Sequence, residues 1–241
     1  MKLLLIGCEY SGTTTLAQAI CRWVKESMGD DIGFHDHFKI PNLIGHVTAD
    51  SDALGITAAS GQMYFTDEEL DQVQGLSPRL KEHFQRFQIE YHLSPGFYGD
   101  SHHNLVGFHI DEAVYAPLYY GYSLEEDGYA NSRSAAARRT ESHIMEIAPD
   151  TVLVLVKASP EVITKRMRDN PHQAGLLQEK DIARALDGFE EEYKRSFIRR
   201  HFVLDTSTAT PDETLAEFVE QIKPHLNEAD QLRMITHRNW R

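Results

Sequence analysis

The stretch that decides the fold is KLLLIGCEYSGTTTLA, residues 2–17. Leu3 to Ile6 form an apolar run short enough for a buried parallel strand, and the residues after Thr13 follow a helical pattern. A loop bounded by Gly7 and Gly12 joins the two. Such a loop turns backbone N–H groups inward at a helix N-terminus, so this stretch predicts a concave site for a phosphate-sized anion.

The loop matches the phosphate-binding pattern G-x-x-x-x-G-K-[ST] at every defined position but one. Gly7, Gly12 and Thr14 are in place, but Thr13 stands where the pattern has lysine. Threonine offers a neutral hydroxyl instead of a positive charge. A charge-assisted hydrogen bond contributes about 1.5–3 kcal/mol and a neutral one about 1 kcal/mol, so we expect anion binding to survive this exchange better than catalysis. The plainer interpretation is a loop that only connects a strand to a helix.

Composition excludes several classes of protein. The chain has 241 residues, a net charge of −13 and a pI near 5.4, which argues against broad binding of nucleic acid or of an acidic membrane. Its two cysteines, Cys8 and Cys21, indicate no disulfide framework and fit a reducing cytoplasm. We see no apolar stretch of about 18 residues that could span a membrane, and the first apolar run is too short for a signal peptide.

Four further runs predict strands at about 32–40, 105–110, 151–156 and 201–206, with helical patterns between them. Strands that alternate with helices predict a three-layer α/β fold, with a five-stranded parallel sheet and helices on both faces. Within the helix predicted from Pro78 to about His92, we expect one face to be buried in the core. That face consists of Leu80, Phe84, Phe87 and Tyr91.

Acidic residues and histidines follow two of these strands. Asp111 and Glu112 fall at the predicted carboxyl end of the third strand, where α/β sheets bind ligands, so they are candidates for holding Mg²⁺ beside phosphates. The alternative is a pair at a helix N-cap. His35 and His37 have the spacing of half a metal site, but no third ligand is evident. We therefore prefer pocket lining or surface exposure for both histidines.

Two more positions are candidates for binding a substrate. Arg79 belongs to a group of cations on the helix after Pro78, which either clamp a substrate or form a solvated face. Tyr115 opens a tract of five tyrosines that extends to Tyr129 and would suit a planar substrate.

Two blocks of the chain resemble nucleotide and deoxynucleoside kinases of the P-loop class, and thymidylate kinases most of all. The loop GCEYSGTTT parallels the family pattern G-x-[DE]-G-x-G-K-T-T, including the acid at Glu9. The second block is the strand 151–156 followed by Ser159-Pro160, Arg166, Arg168, a linker and a long helix. In these kinases the second block is a lid whose arginines close over the transferring phosphoryl group.

The resemblance implies a P-loop NTPase fold, with ATP and Mg²⁺ as cofactors and a small-molecule substrate, a nucleoside or nucleotide. Thr14 with Asp111 or Glu112 would hold the metal, Asp36 would accept the proton of the substrate hydroxyl, and Arg166 and Arg168 would act as lid cations. His37, Arg79, Tyr115 and Arg138 are the candidates for substrate contacts. The residues that would bind the phosphates are Gly7, Cys8, Glu9, Tyr10, Ser11, Gly12, Thr13, Thr14 and Thr15.

This sequence also departs from the family pattern after the third strand. The family has an acid–arginine pair there, whereas Asp111-Glu112-Ala113 contains no arginine, and Arg138 or Arg139 is the substitute we consider. We expect one kinase-like domain over residues 1–228, with a substrate-region insertion at about 42–103 and a lid at about 164–180. Residues 229–241 are expected to form a peripheral tail. Whether the chain forms a homodimer stays open.

Two other functions compete with a kinase. The string Ser11-Gly12-Thr13-Thr14 also resembles the phosphosulfate-binding loop of sulfotransferases, although those loops carry a cation where this chain has Tyr10. A P-loop fold that binds a nucleotide or phosphate without turnover is the second alternative, and Thr13 supports it.

Overall fold

A five-stranded parallel sheet lies at the centre of the computed structural model, which describes residues 1–36, 40, 66–98, 102–122, 132–172 and 175–239. Its order is β2-β3-β1-β4-β5, and every neighbouring pair is parallel. The strands are β1 (Lys2–Ile6), β2 (Gly33–His35), β3 (His103–Val106), β4 (Val152–Lys157) and β5 (Arg200–Asp205). The predicted three-layer α/β fold is therefore confirmed.

Helices cover both faces of this sheet. In the described residues they are α1 (Thr13–Met28), α2 (Asp67–Gln74), α3 (Pro78–His92), α4 (Pro95–Tyr98), α5 (Phe108–Tyr115), α6 (Arg133–Ile147), α7 (Pro160–Asp169), α8 (Ile182–Arg195), α9 (Pro211–Ile222) and α10 (Glu228–Asn239). A π-helical turn, Ala116–Tyr120, extends α5, and 3₁₀ turns occupy Glu179–Asp181 and Lys223–His225. None of these helices is both long and apolar enough to cross a bilayer.

The alternation of β1 explains the three layers. Leu3 and Leu5 pack with α1 and α9 on one face, whereas Leu4 and Ile6 pack with α5 and α8 on the other, and all four side chains are buried. A fully buried side chain of this size contributes roughly 1.5–3 kcal/mol to stability. A short apolar strand flanked by two helical layers is thus the favoured arrangement for this sequence.

Neighbouring strands β1 and β3 lead to opposite faces of the sheet. The chain leaves β1 for α1 on one side and leaves β3 for α5 on the other. In open α/β sheets, the carboxyl ends of two such strands flank the crevice that binds ligands. The loop that starts at Gly7 lies at this crevice.

The prediction for the third strand is wrong after residue 106. Gly107 adopts φ 81° and ends β3, and α5 begins at once with Phe108, whose φ is 52°. Asp111 and Glu112 therefore lie within α5 and are both buried. A short apolar run fits a strand and a buried helix equally well, and here the glycine decides between them.

The prediction that α3 buries its aromatic stripe is also wrong. Leu80, Phe84, Phe87 and Tyr91 are 47%, 46%, 62% and 59% exposed. The helix instead packs its opposite face inward. The buried residues of that face are Gln85, Ile89 and His92.

A glycine and a capping box set the ends of two helices. Gly29 ends α1 at φ 70°, and Thr66 forms a capping box with Glu69 at the start of α2. The tail residues form α10, which packs on α1 and buries Asp230 against the amino group of Met1 at 3.0 Å.

Candidate phosphate-binding site

The loop between β1 and α1 owes its shape to two glycines. A side chain at Gly7 would overlap the Val156 carbonyl oxygen and come within 2.6 Å of Ser11 Oγ. Gly12 adopts φ 100°, in the left-handed region that L side chains rarely enter, and the Ser11 N–H donates to the Cys8 carbonyl at 3.0 Å. Tyr10 also has positive φ, 67°, which for a non-glycine residue costs about 1–3 kcal/mol and is found most often at functional sites.

Helix α1 begins directly after this loop, without a side-chain cap. Gly12 is its N-cap residue and has no side chain to accept a hydrogen bond, and no acidic residue lies in the first turn. The first N–H groups of a helix lack partners within the helix and carry partial positive charge. This helix end can therefore accept an anion.

Thr14, a predicted metal-binding residue, and Asp36, the carboxylate predicted to accept the substrate's proton, meet beside the loop. The Thr14 hydroxyl donates to Asp36 Oδ2 at 2.5 Å, and Asp36 directly follows β2. Hydroxyl and carboxylate oxygens are the ligands that Mg²⁺ prefers in phosphate sites, usually one or two from the protein and the rest from phosphates and water. Among the described residues, no group of three or more His, Cys, Asp or Glu side chains is placed to hold a metal.

Arg166 links α7 to the loop and to the end of β5. Its Nη1 donates to the Tyr10 carbonyl at 2.9 Å and to Thr206 Oγ1 at 3.0 Å, and its Nη2 donates to the Thr206 carbonyl at 2.8 Å. Thr206 Oγ1 in turn donates to the Ser11 carbonyl at 2.7 Å. Partial burial lowers the pKa of Arg166, but a guanidinium stays charged in proteins. A positive charge is thus fixed beside a loop that lacks its lysine.

Glu9 and Tyr10 hold the segment that follows α7. The buried Glu9 carboxylate accepts the N–H groups of Leu176 and Leu177 on one oxygen, at 3.0 and 2.7 Å. The Tyr10 hydroxyl accepts the His172 N–H at 3.0 Å, and the two rings stack with centroids 4.1 Å apart. Side chains of the loop therefore dock the region predicted to be the lid.

A cleft of about 460 Å³ opens onto the loop, a size typical of small-molecule sites. It runs from the start of α1 to the end of α7 and the start of α9. Its lining consists of Glu9, Tyr10, residues 12–16, Arg166, Asp169, Asn170, His172, Thr206, Ala209, Pro211 and Thr214. A second cleft of about 570 Å³ between α5, α6 and α8 is lined by Arg133 and Arg184 among others, and it shares no lining residue with the first.

The two acids of α5 lie in different surroundings. The Asp111 carboxylate packs against Gly107, where a Cβ atom would overlap it. Glu112 Oε1 lies 2.6 Å from Nη2 of Arg133, whose guanidinium also lies over the Tyr122 ring at 5.5 Å. Burial raises the pKa of Glu112 to about 7, and Arg133 opposes that rise. Glu112 is therefore a buried carboxyl group with a raised pKa and an arginine partner.

The other predicted substrate residues are distributed over the molecule. Arg138 lies in a buried ion-pair network with Glu141 and Glu192, at 2.9 and 3.3 Å. Tyr115 is buried beneath the loop, where its hydroxyl accepts the Glu9 N–H at 3.0 Å and burial raises its pKa well above the usual value. Arg79 is exposed on the first turn of α3, and Arg168 is exposed and lies 2.5 Å from Glu179. His37 lies outside the described residues.

Sequence reasoning missed three residues of this region. Arg133 pairs with Glu112, Thr206 accepts from Arg166, and His172 stacks on Tyr10. A signal existed for Thr206, because it follows β5 and the carboxyl ends of parallel strands meet at one edge of the sheet. Arg133 and His172 are brought in by tertiary contacts that leave no local pattern.

Comparisons with known proteins support the fold. A search of protein-family models finds no match, and neither does a search of curated proteins. Among solved structures, the chain is similar to the YorR protein from Bacillus subtilis, crystallised in complex with phosphorylated GDP. The TM-score is 0.53 and the sequence identity 17%, and the match covers 94% of this chain and 100% of YorR. The three-layer arrangement around a parallel sheet is thus shared with a protein that was solved with a nucleotide bound.

Proposed function

We propose that the chain binds a nucleoside triphosphate and transfers its terminal phosphoryl group to a small molecule, with a nucleoside or nucleoside monophosphate as the first acceptors to test. The observation that carries this proposal is the contact between Thr14 and Asp36 beside an uncapped helix N-terminus. This contact puts a hydroxyl and a carboxylate next to the helix N-terminus that would bind the phosphates. The nucleotide bound to YorR supports the proposal that a nucleoside triphosphate is the phosphoryl donor.

In this proposal the phosphates lie on backbone N–H groups of residues 8–13 other than those of Glu9 and Ser11, which donate to the Tyr115 hydroxyl and to the Cys8 carbonyl. Thr14 Oγ1 and Asp36 Oδ2 would hold Mg²⁺, which when bound neutralises charge on the phosphates. Asp36 Oδ1 is the oxygen we assign to the proton of the acceptor hydroxyl. Asp111 and Glu112 are proposed to contribute to the site from α5. Glu112 would hold Arg133, and these two residues would together replace the acid–arginine pair that the kinase family has after its third strand.

Arg166 is proposed to replace the missing lysine as the fixed positive charge. A Cβ atom at Gly12 would lie 3.9 Å from Arg166 Nη1, so the guanidinium borders the loop. The hydrogen bonds to Tyr10 and Thr206 use three of its five N–H donors, and we assign the remaining two, on Nη2 and Nε, to a phosphate oxygen. Arg168 is exposed, pairs with Glu179 and does not line the cleft, so its role as a second lid cation stays a prediction.

The cleft between α7 and α9 is proposed to hold the base of the donor nucleotide. Asp169 and Asn170 line it, and an aspartate carboxylate can accept two N–H groups from guanine, at N1 and N2, but only one from adenine, at its 6-amino group. GTP therefore belongs beside ATP in any assay of the donor.

A second function, nucleotide binding without turnover, is favoured by one specific observation. Arg166 already donates to three protein acceptors, and Thr13 provides no charge of its own. Binding assays separate this function from a kinase, since both predict affinity for a nucleotide and only the kinase predicts transfer.

The experiment combines calorimetry with a transfer assay. ATP, GTP and adenosine 3′,5′-bisphosphate are titrated with and without Mg²⁺, and transfer is then followed over a panel of nucleosides and monophosphates. Asp36→Asn is expected to lower transfer by about 10²-fold or more while nucleotide affinity measured without Mg²⁺ changes little. Asp31→Asn, an exposed ion-pair partner of Lys25 just before β2, is the matched control and should leave transfer unchanged.

Three outcomes would redirect the proposal. Binding of triphosphates with no transfer to any acceptor would favour the non-catalytic function, and preference for the bisphosphate would favour a sulfotransferase. No affinity for any of the three ligands would refute nucleotide binding. A rise in affinity or turnover for Thr13→Lys would support the assignment of the loop.

A further inference from the structure

Three tyrosine hydroxyls on α5 and its π-helical extension each accept a hydrogen bond from a backbone N–H group. The three tyrosines, called the tyrosine cluster below, are Tyr115, Tyr119 and Tyr120. Their donors lie in separate parts of the chain. The contacts, with their N···O distances, are the Glu9 N–H to Tyr115 at 3.0 Å, the Ile40 N–H to Tyr120 at 3.1 Å and the Gln178 N–H to Tyr119 at 3.2 Å.

Each of these donors belongs to a segment that forms part of the candidate site. Glu9 lies in the loop between β1 and α1. Ile40 lies four residues after Asp36, on the chain that leaves β2, and Gln178 lies in the segment that follows Arg166 and α7. A buried tyrosine hydroxyl usually finds some hydrogen-bond partner. Here all three acceptors meet main-chain groups of the segments that surround the site.

The π-helical turn explains how two neighbouring tyrosines reach two distant segments. The turn covers Ala116–Tyr120 and ends at Gly121, whose φ is 72°. Adjacent side chains of a helical turn point in different directions, so Tyr119 and Tyr120 extend to opposite ends of the site. The Tyr119 ring lies 5.9 Å from that of Tyr115, which continues the cluster toward the loop. Single π-helical turns are rare and occur frequently at functional sites.

The hydroxyls of the cluster are suited to a fixed structural contact. A neutral tyrosine hydroxyl accepts one hydrogen bond and can donate another, and Tyr119 donates to Asp181 Oδ2 at 3.1 Å. Burial raises the pKa of each tyrosine in the cluster, that of Tyr119 to about 12, so the hydroxyls stay neutral at physiological pH. Tyr120 is 2% exposed and Ile40 is 1% exposed, so water is not placed to replace this acceptor.

We infer that Tyr119 and Tyr120 are positioning residues, which hold the segment after α7 and the chain after β2 in place relative to α5. Tyr120 thereby limits where Asp36 can lie, and Tyr119 limits the segment that follows Arg166. Neither tyrosine lines the cleft beside the loop, so both act through the segments they hold. The inference rests on the proposed function for its effect on the rate of transfer, but not for the contacts themselves.

Amide hydrogen exchange tests the contacts without any assumption about activity. Tyr120→Phe leaves the buried Ile40 N–H without an acceptor, so this amide should exchange about tenfold faster. Tyr119→Phe should accelerate the Gln178 N–H about fivefold, because water can replace part of the lost contact at this exposed residue. The matched control is Tyr193→Phe on α8, which removes a half-buried hydroxyl that has no hydrogen-bond partner within the described part of the chain. The control should change neither amide.

Steady-state transfer kinetics test the positioning role. Tyr119→Phe and Tyr120→Phe should each lower kcat about fivefold and leave the KM for the nucleotide within about twofold, whereas Tyr193→Phe should change neither. Faster exchange with an unchanged kcat would show that the hydroxyls stabilise the fold alone, and it would overturn the inference. Wild-type exchange at both amides, or equal acceleration in the control, would do the same. If the wild-type chain transfers nothing, the proposed function fails, and the exchange rates alone decide whether these tyrosines hold the two segments.

Discussion

The Glu9 carboxylate provides a direct test of how the loop and the segment after α7 are joined. One buried oxygen accepts two backbone N–H groups, from Leu176 and Leu177. A hydrogen bond to a charged group contributes about 1.5–3 kcal/mol and one to a neutral group about 1 kcal/mol. Replacing Glu9 by glutamine keeps an acceptor oxygen but removes the charge from both bonds. We expect this to weaken docking of the segment by about 2 kcal/mol.

Amide hydrogen exchange measures this change. A loss of about 2 kcal/mol raises the population of the undocked segment roughly 30-fold, so the N–H groups of Leu176 and Leu177 should exchange roughly 30-fold faster in Glu9→Gln. The control is Glu179→Gln, which removes an exposed carboxylate paired with Arg168, a type of pair that contributes about 0–1 kcal/mol. Wild-type exchange at both leucines, or equal acceleration in the control, would refute the reasoning.

Two further predictions concern stability. Gly7→Ala should lower the free energy of unfolding by about 1–3 kcal/mol, measured by urea denaturation, because the new methyl group overlaps the Val156 carbonyl oxygen. Burial lowers the pKa of His103 to about 3 from its usual 6.5. Between these two pH values the unfolded chain binds a proton at His103 more readily than the folded chain does. The free energy of unfolding should therefore fall as pH drops below about 6.5. His103→Phe should reduce that fall in stability between about pH 7.5 and pH 5 by up to about 2 kcal/mol. The control His143→Phe changes an exposed histidine and should leave the fall unchanged. An equal reduction in both variants would contradict the assignment to His103.

Local rules predicted the parts of this fold that depend on neighbouring residues. The loop from Gly7 to Gly12 was predicted from its glycine spacing. The end of α1 at Gly29 and the capping box at Thr66 likewise follow from steric or hydrogen-bonding needs within a few positions. The order of strands and helices then followed from periodicity, since β1 and β4 are apolar apart from one terminal lysine each, Lys2 and Lys157.

Sequence reasoning failed where two patterns compete or where the partner is distant. Helix α3 turns its apolar stripe outward and buries the face that carries Gln85, Ile89 and His92, so periodicity alone does not say which face meets the core. The run after Leu105 is apolar enough for a strand, but Gly107 turns it into a helix. Glu112 and Arg133 lie on separate helices, so no local spacing announces their pairing.

The hydrogen bonds of Arg166 have a consequence for how this protein can change over time. Because the guanidinium donates to the Thr206 carbonyl and hydroxyl, and that hydroxyl donates to the Ser11 carbonyl, the two side chains form one unit. Losing the arginine would leave carbonyl oxygens of the loop and of the strand end without a donor. Related sequences that abandon Arg166 should therefore also alter Thr206, and the two positions should vary as a pair.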